Sequence, residues 1–150
     1  MLKIKSFTVD HTTLQRGIHL SRRDAMDGAV CTTFDVRLTL PNREPALTPA
    51  CSHTIEHIAA TLLRNDPTWG GKVIYWGPMG CLTGFYLILW GDVGASQIEP
   101  LIRDVFSRIA SFEGDVPGCS AEECGNWKLH SLPEAREAAQ QYLKQEWTID

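Results

Sequence analysis

The stretch 31-CTTFDVRLTLPNREPALTPACSHTIEHIAATLLRN-65 passes from one hydrophobic period to another, and that change sets the fold class. Phe34, Val36, Leu38 and Leu40 alternate with Thr33, Asp35, Arg37 and Thr39, the pattern of a strand buried on one face. The Pro-rich connector PNREPAL follows, and Thr48 before Pro49 reads as an N-cap with proline at the first helical position. Beyond it Ile55, Ile58, Ala59, Leu62 and Leu63 recur at helical spacing. A half-buried strand followed by an amphipathic helix calls for a sheet layered against helices.

Outward from this stretch, MLKIKSFTVDH at the N-terminus reads as a first strand. Residues 72–76 and the segment CLTGFYLILWG (81–91) read as two strands meeting at a turn punctuated by Gly77, Pro78 and Gly80. Ser96 with Glu99 forms a capping box ahead of a helix that carries Ile98, Leu101, Ile102, Val105, Ile109 and Phe112 and stops by Gly114. A loop rich in Gly, Pro and Cys (114–126) leads to a second box at Ser131 and Glu134 and a last helix ending near Trp147. The expectation is one α+β domain over residues 1–150, an antiparallel sheet packed against helices.

The chain has 150 residues, 43% hydrophobic and 21% charged, with a net charge of −4. That length suits one core, and the composition suits a globular chain. No apolar run is long enough to span a bilayer and the N-terminus carries no secretory h-region, so a soluble protein is expected. Lys and Arg are scattered, which argues against nucleic acid. Five cysteines without a C-x-x-C pair fit thiols kept reduced in a cytosol, so a cytoplasmic location is expected.

His53, Glu56 and His57 fall on the helix face opposite the apolar stripe, because each residue advances the helix by ~100°. Residues four apart on a helix are neighbours, so His53 and His57 can converge on one divalent metal. A bare His-x-x-x-His pair also fits a solvated polar face. Here the order is His-x-x-Glu-His, the inverted zincin arrangement, with a carboxylate beside the pair where it can move protons. A catalytic site of this kind usually takes a third protein ligand, and Cys81, Cys124, His11, His19 and the acidic residues are candidates. Cys124 is attractive, since Gly125 allows close approach and a thiolate suits a borderline-soft metal, although a single cysteine also fits a small buried hydrophobe.

HTIEH, GPMGC-x-TGFY and ECGN, with SFTVDH at the N-terminus and FDVR in the strand, stand in order through nearly the whole chain. Together they resemble the S-ribosylhomocysteine lyase (LuxS) family. The resemblance implies an α+β homodimer with active sites at the dimer interface and one divalent metal per chain, iron(II) natively and zinc as the alternative. It implies His53, His57 and Cys124 as ligands, Glu56 and Cys81 as acid/base residues, and Ser6, His11 and Arg37 in the substrate pocket. The remaining cysteines, His19 and His130 are read as structural.

The implied reaction cleaves S-ribosylhomocysteine to homocysteine and 4,5-dihydroxy-2,3-pentanedione, the autoinducer-2 precursor of quorum sensing, within the activated methyl cycle. A carbonyl migrates along the open-chain ribose until it lies β to sulfur, and the thiol is then eliminated without a redox cofactor. Two positions depart from the best-known members: Tyr75 stands where they carry Asp, and Leu82 where they carry Arg or Gln. Two rival readings remain, an inverted-zincin peptidase and a non-catalytic metal-binding homologue.

Overall fold

A computed structural model describes residues 1–150. Five strands and three helices follow one another as β1 (Gly17–Met26), β2 (Ala29–Arg37), α1 (Pro49–Arg64), β3 (Val73–Pro78), β4 (Gly84–Trp90), α2 (Ala95–Ala110), α3 (Leu132–Lys144) and β5 (Thr148–Ile149). The sheet order is β3-β4-β2-β1-β5. All pairings are antiparallel except β5 on β1, so the α+β expectation holds with a mixed edge.

Alternation along β2 and β4 decides which side of the sheet is covered. Phe34 and Val36 of β2 and Phe85, Leu87 and Leu89 of β4 are fully buried. They meet Ile55, Ile58, Ala59 and Leu63 of α1 and Ile98, Ile102 and Phe106 of α2 in one apolar cluster. Removing a buried Phe or Leu side chain from such a core costs about 2–5 kcal/mol. The other face carries Thr33, Asp35 and Arg37 of β2, in register with Ile88, Tyr86 and Gly84 of β4. No helix covers that side; the N-terminal segment reaches it, and Ile4, Lys5 and Ser6 line a cavity there with Tyr75, Tyr86 and Ile88.

The N-terminus departs from its expected strand. Residues Lys5–Phe7 form a 3-10 turn, and Asp10 closes the next one by accepting the Thr12 amide on Oδ1 at 2.9 Å. The first strand is GIHLSRRDAM, hard to see because only Gly17 and Ile18 are buried. A two-residue hairpin joins β1 to β2, with Asp27 and Gly28 both at positive φ (50° and 80°), the geometry that Asp-Gly favours.

Caps also shift. Thr48 does cap α1, accepting the Cys51 amide at 3.1 Å. α2 is capped two residues earlier than expected, with Gln97 Oε1 accepting the Gly94 amide at 2.7 Å. Glu99 instead pairs with Arg103. Glu134 does not return to Ser131 but accepts the Thr48 hydroxyl at 2.6 Å, joining the starts of α1 and α3. α3 ends at Lys144, and Trp147 stacks on Tyr142 with ring centroids 4.1 Å apart.

Candidate functional site

α1 buries its apolar stripe and so leaves His53, Glu56 and His57 toward the returning loop before α3. That loop fixes both imidazoles. His53 donates from Nδ1 to the Leu129 carbonyl at 2.7 Å, and His57 donates from Nδ1 to the Pro117 carbonyl at 2.7 Å. A carbonyl can only accept, so both rings carry their proton on Nδ1 and keep the Nε2 lone pair free. Cys124 Sγ lies 3.4 Å from His53 Nε2. Gly118 makes the approach feasible: its φ is +67°, and a Cβ there would lie 3.3 Å from His57 Nδ1.

Donor atoms of His53, His57, Cys124 and His130 lie within 4.8 Å of one another, a group able to hold a metal ion. The chemistry fits a borderline-soft divalent cation, with imidazoles whose far nitrogens are tied to carbonyls as ligating histidines usually are. His130 takes part differently. The Thr54 hydroxyl donates to the Ala50 carbonyl and accepts the Ser131 amide, which leaves it a lone pair for His130 Nδ1–H at 3.1 Å. His130 Nε2 is buried without a partner. Its ring stacks on His53, centroids 4.0 Å apart and planes 19° apart. His53 and His57 meet edge to face at 88°, and His130 meets His57 edge to face as well, at 71° with ring centroids 4.8 Å apart. Burial, then the neighbouring His53 and His57, push the His130 pKa down to about 4, so it is a neutral partner of the group.

A second cluster forms on the open face of the sheet. The turn after β3 exposes Cys81 and is tight enough to put Leu82 at φ +58°, a conformation that costs a non-glycine residue about 1–2 kcal/mol. Arg37 is 2% exposed and bonds Asp35 through Nε at 3.0 Å and through Nη2. Burial opposes the Arg37 charge, yet the Asp35 hydrogen bonds and carboxylate outweigh it and raise the pKa. Its Nη1 donates to Thr83 Oγ1 at 2.6 Å and lies 3.8 Å from Cys81 Sγ. Burial works against a Cys81 thiolate, but hydrogen bonds from Thr83 and the Arg37 charge prevail and bring its pKa below the usual thiol value. Cys51 is the contrast: burial, with Glu134 and Glu137 nearby, pushes it up to about 12.

The other expected residues are more dispersed. Glu56 lines a shallow pocket of about 280 Å³ with His57, Ala60, Thr61, Pro117 and Gly118. Ser6 lines two cavities over the sheet, of about 420 and 120 Å³, and neither includes His53, His57, Cys124 or His130. His11 bonds back to the Val9 carbonyl at 2.9 Å. Tyr75 lies across Gly77, whose Cβ would fall 2.0 Å from the Tyr75 hydroxyl. The aromatic residue and the glycine before Pro78 are therefore one feature.

The family model described as S-Ribosylhomocysteinase (LuxS) matches residues 4–150. A protein of Desulfotalea psychrophila named S-ribosylhomocysteine lyase is 57% identical over 143 residues, covering 95% of this chain and 90% of its own length. Proteins with the same name from Phocaeicola vulgatus (52% over 143 residues, 95% and 89%) and Porphyromonas gingivalis (50% over 145 residues, 97% and 91%) are similarly close. The chain belongs to the LuxS family. Within this LuxS chain, three residues outside the expected set stand in the clusters: Asp35, two before Arg37 and paired with it, Thr83 and His130. Thr83 is half-signalled by its place two residues after Cys81. His130 has no such local signal, since only the folding back of the 114–131 loop brings it to α1.

Proposed function

We propose that this LuxS-family chain is an S-ribosylhomocysteine lyase that releases homocysteine and 4,5-dihydroxy-2,3-pentanedione. The observation that carries the reading is the convergence of His53 and His57 with Cys124, both imidazoles locked with free Nε2 lone pairs, beside Glu56. Relatives of this name match along nearly all of the chain, which supports the same reaction here. His53, His57 and Cys124 would hold one divalent metal, iron(II) with zinc as the alternative. Bound there, the metal supplies a Lewis acid for the oxygens of the open-chain ribose.

The chain's own residues divide the proton work. Glu56, next to a ligand, takes and returns protons among substrate carbons and oxygens as the carbonyl migrates. Cys81, held toward thiolate, removes a carbon-bound proton at neutral pH and returns it on the adjacent carbon. In the last step loss of a proton α to the carbonyl expels the homocysteine thiolate, which leaves with the C–S electron pair, so no oxidant is needed. Ser6 and His11 contribute hydrogen bonds to the substrate, and Arg37 adds its positive charge at the pocket.

The active form is proposed to be a cytoplasmic homodimer of single-domain chains with the site at the interface. Two observations support it. Ser6 lines cavities separate from the metal donors, so one chain does not close the pocket. Ile4, Phe7, Val9, Tyr75 and Trp90 are exposed apolar groups that a second copy would cover. No helix is long and apolar enough to cross a membrane. The product would feed autoinducer-2 signalling, with homocysteine returned to the activated methyl cycle.

Thiol release from S-ribosylhomocysteine by anaerobically purified protein tests the activity, with a peptide set run in parallel. Homocysteine release with intact peptides is expected. Peptide cleavage alone would indicate the zincin-type reading, and stoichiometric metal with neither reaction would indicate a non-catalytic homologue.

A further inference from the structure

The Arg37 guanidinium spends its N–H groups in a definite order. Nε and Nη2 are committed to the two oxygens of Asp35, which leaves Nη1 facing the turn after β3. There Nη1 donates to Thr83 Oγ1 at 2.6 Å, while its distance to Cys81 Sγ is 3.8 Å. The Thr83 hydroxyl lies between them, 3.1 Å from Cys81 Sγ. A hydroxyl has one proton and two lone pairs. Arg37 can only donate, so it occupies a lone pair and leaves the Thr83 proton free for sulfur.

We propose that Thr83 is the positioning residue that holds Cys81 as a thiolate, its hydroxyl relaying the Arg37 charge to sulfur through a donated hydrogen bond. The assignment rests on the reading of Cys81 as a proton carrier. Distance ranks the two donors: the Thr83 oxygen is at hydrogen-bond range of sulfur, and the Arg37 nitrogen is at the edge of it. When Cys81 is a thiol, its S–H points to the second lone pair of Thr83. When the proton leaves, the hydroxyl turns its own proton to sulfur, and no other group moves. Asp35 and Tyr86 are the remaining titratable groups around this cluster. Asp35 is engaged by Arg37, and the Tyr86 phenol is raised by burial and stays protonated through the neutral range.

The test is the pH dependence of Cys81 alkylation by iodoacetamide, followed by mass spectrometry at that residue, in wild type, Thr83→Val and Thr83→Ser. Val keeps the buried shape and removes the hydroxyl; Ser keeps the hydroxyl. A hydrogen bond to a charged sulfur corresponds to an upward move of the alkylation midpoint by about one to two pH units in Thr83→Val. Thr83→Ser is expected to titrate near wild type, with metal content and circular dichroism unchanged in both. An unmoved midpoint in Thr83→Val would overturn the assignment, and so would a Ser variant displaced as far as Val, since packing of the methyl would then be the cause. The assay uses no substrate, so its outcome stands apart from whether the chain cleaves S-ribosylhomocysteine.

Discussion

His53 and His57 meet edge to face, ring centroids 4.5 Å apart, and each is anchored through Nδ1 to a carbonyl of the returning loop. Their free nitrogens are fixed before any ion arrives, so little ordering remains for binding to supply. One divalent metal per chain is expected by elemental analysis. Cys124→Ala should lose metal and thiol release together, while Cys31→Ala and Cys51→Ala keep both. Gly118→Ala, which crowds His57 Nδ1, should weaken metal by about ten- to a hundredfold in chelator competition. Full metal content in Cys124→Ala would remove that residue from the ligand set.

The α1 half of this centre was legible in sequence because His53, Glu56 and His57 are local to one helix. Cys124 needed its loop context, and His130 could not be placed, because its position depends on the 114–131 loop crossing α1 rather than on any period. β1 was illegible for a related reason. Its outer half is exposed and charged, so the apolar alternation that marked β2 and β4 is missing, and the Asp27-Gly28 hairpin was the available signal. Arg37 shows the limit of alternation: the pattern places it correctly on the polar face, and the Asp35, Thr83 and Cys81 contacts then bury it.

Cys81 and Cys51 should separate by pH. A lowered pKa means that Cys81 gives up its proton at lower pH than an ordinary thiol, so its alkylation should persist to lower pH than that of an unperturbed cysteine and fall on further acidification. Homocysteine release should lose its acid limb at the same midpoint. Cys51, raised to about 12 and buried, should stay unmodified at pH 8 in the folded protein. Equal labelling of the two thiols at pH 7 would contradict this assignment of environments.

A homodimer should persist at micromolar concentration. The uncovered sheet face and the N-terminal segment present Ile4, Phe7, Val9, Tyr75 and Trp90 to solvent, and burying such a patch stabilises association in proportion to its apolar area. Light scattering should give twice the chain mass, and Phe7→Asp should shift the protein toward monomer with a parallel loss of thiol release. A fully active monomer would rule out a site shared between chains.

Glu56 distinguishes a proton carrier from a carboxylate that merely orients a ligand. In this chain it lies beside His57 over a shallow pocket, and the Nδ1 of His57 is held by Pro117 rather than by Glu56. Orientation of the imidazole is thus supplied elsewhere, which leaves the carboxylate free for chemistry. Glu56→Gln keeps size and hydrogen bonding but cannot accept and return a proton. Loss of general acid/base catalysis typically costs ~10²–10⁴-fold. The Gln variant should bind metal at full stoichiometry and lose at least about a hundredfold in homocysteine release, with Glu56→Asp losing less because the chemistry survives a shorter reach. Near wild-type turnover in Glu56→Gln would pass the proton transfers to Cys81.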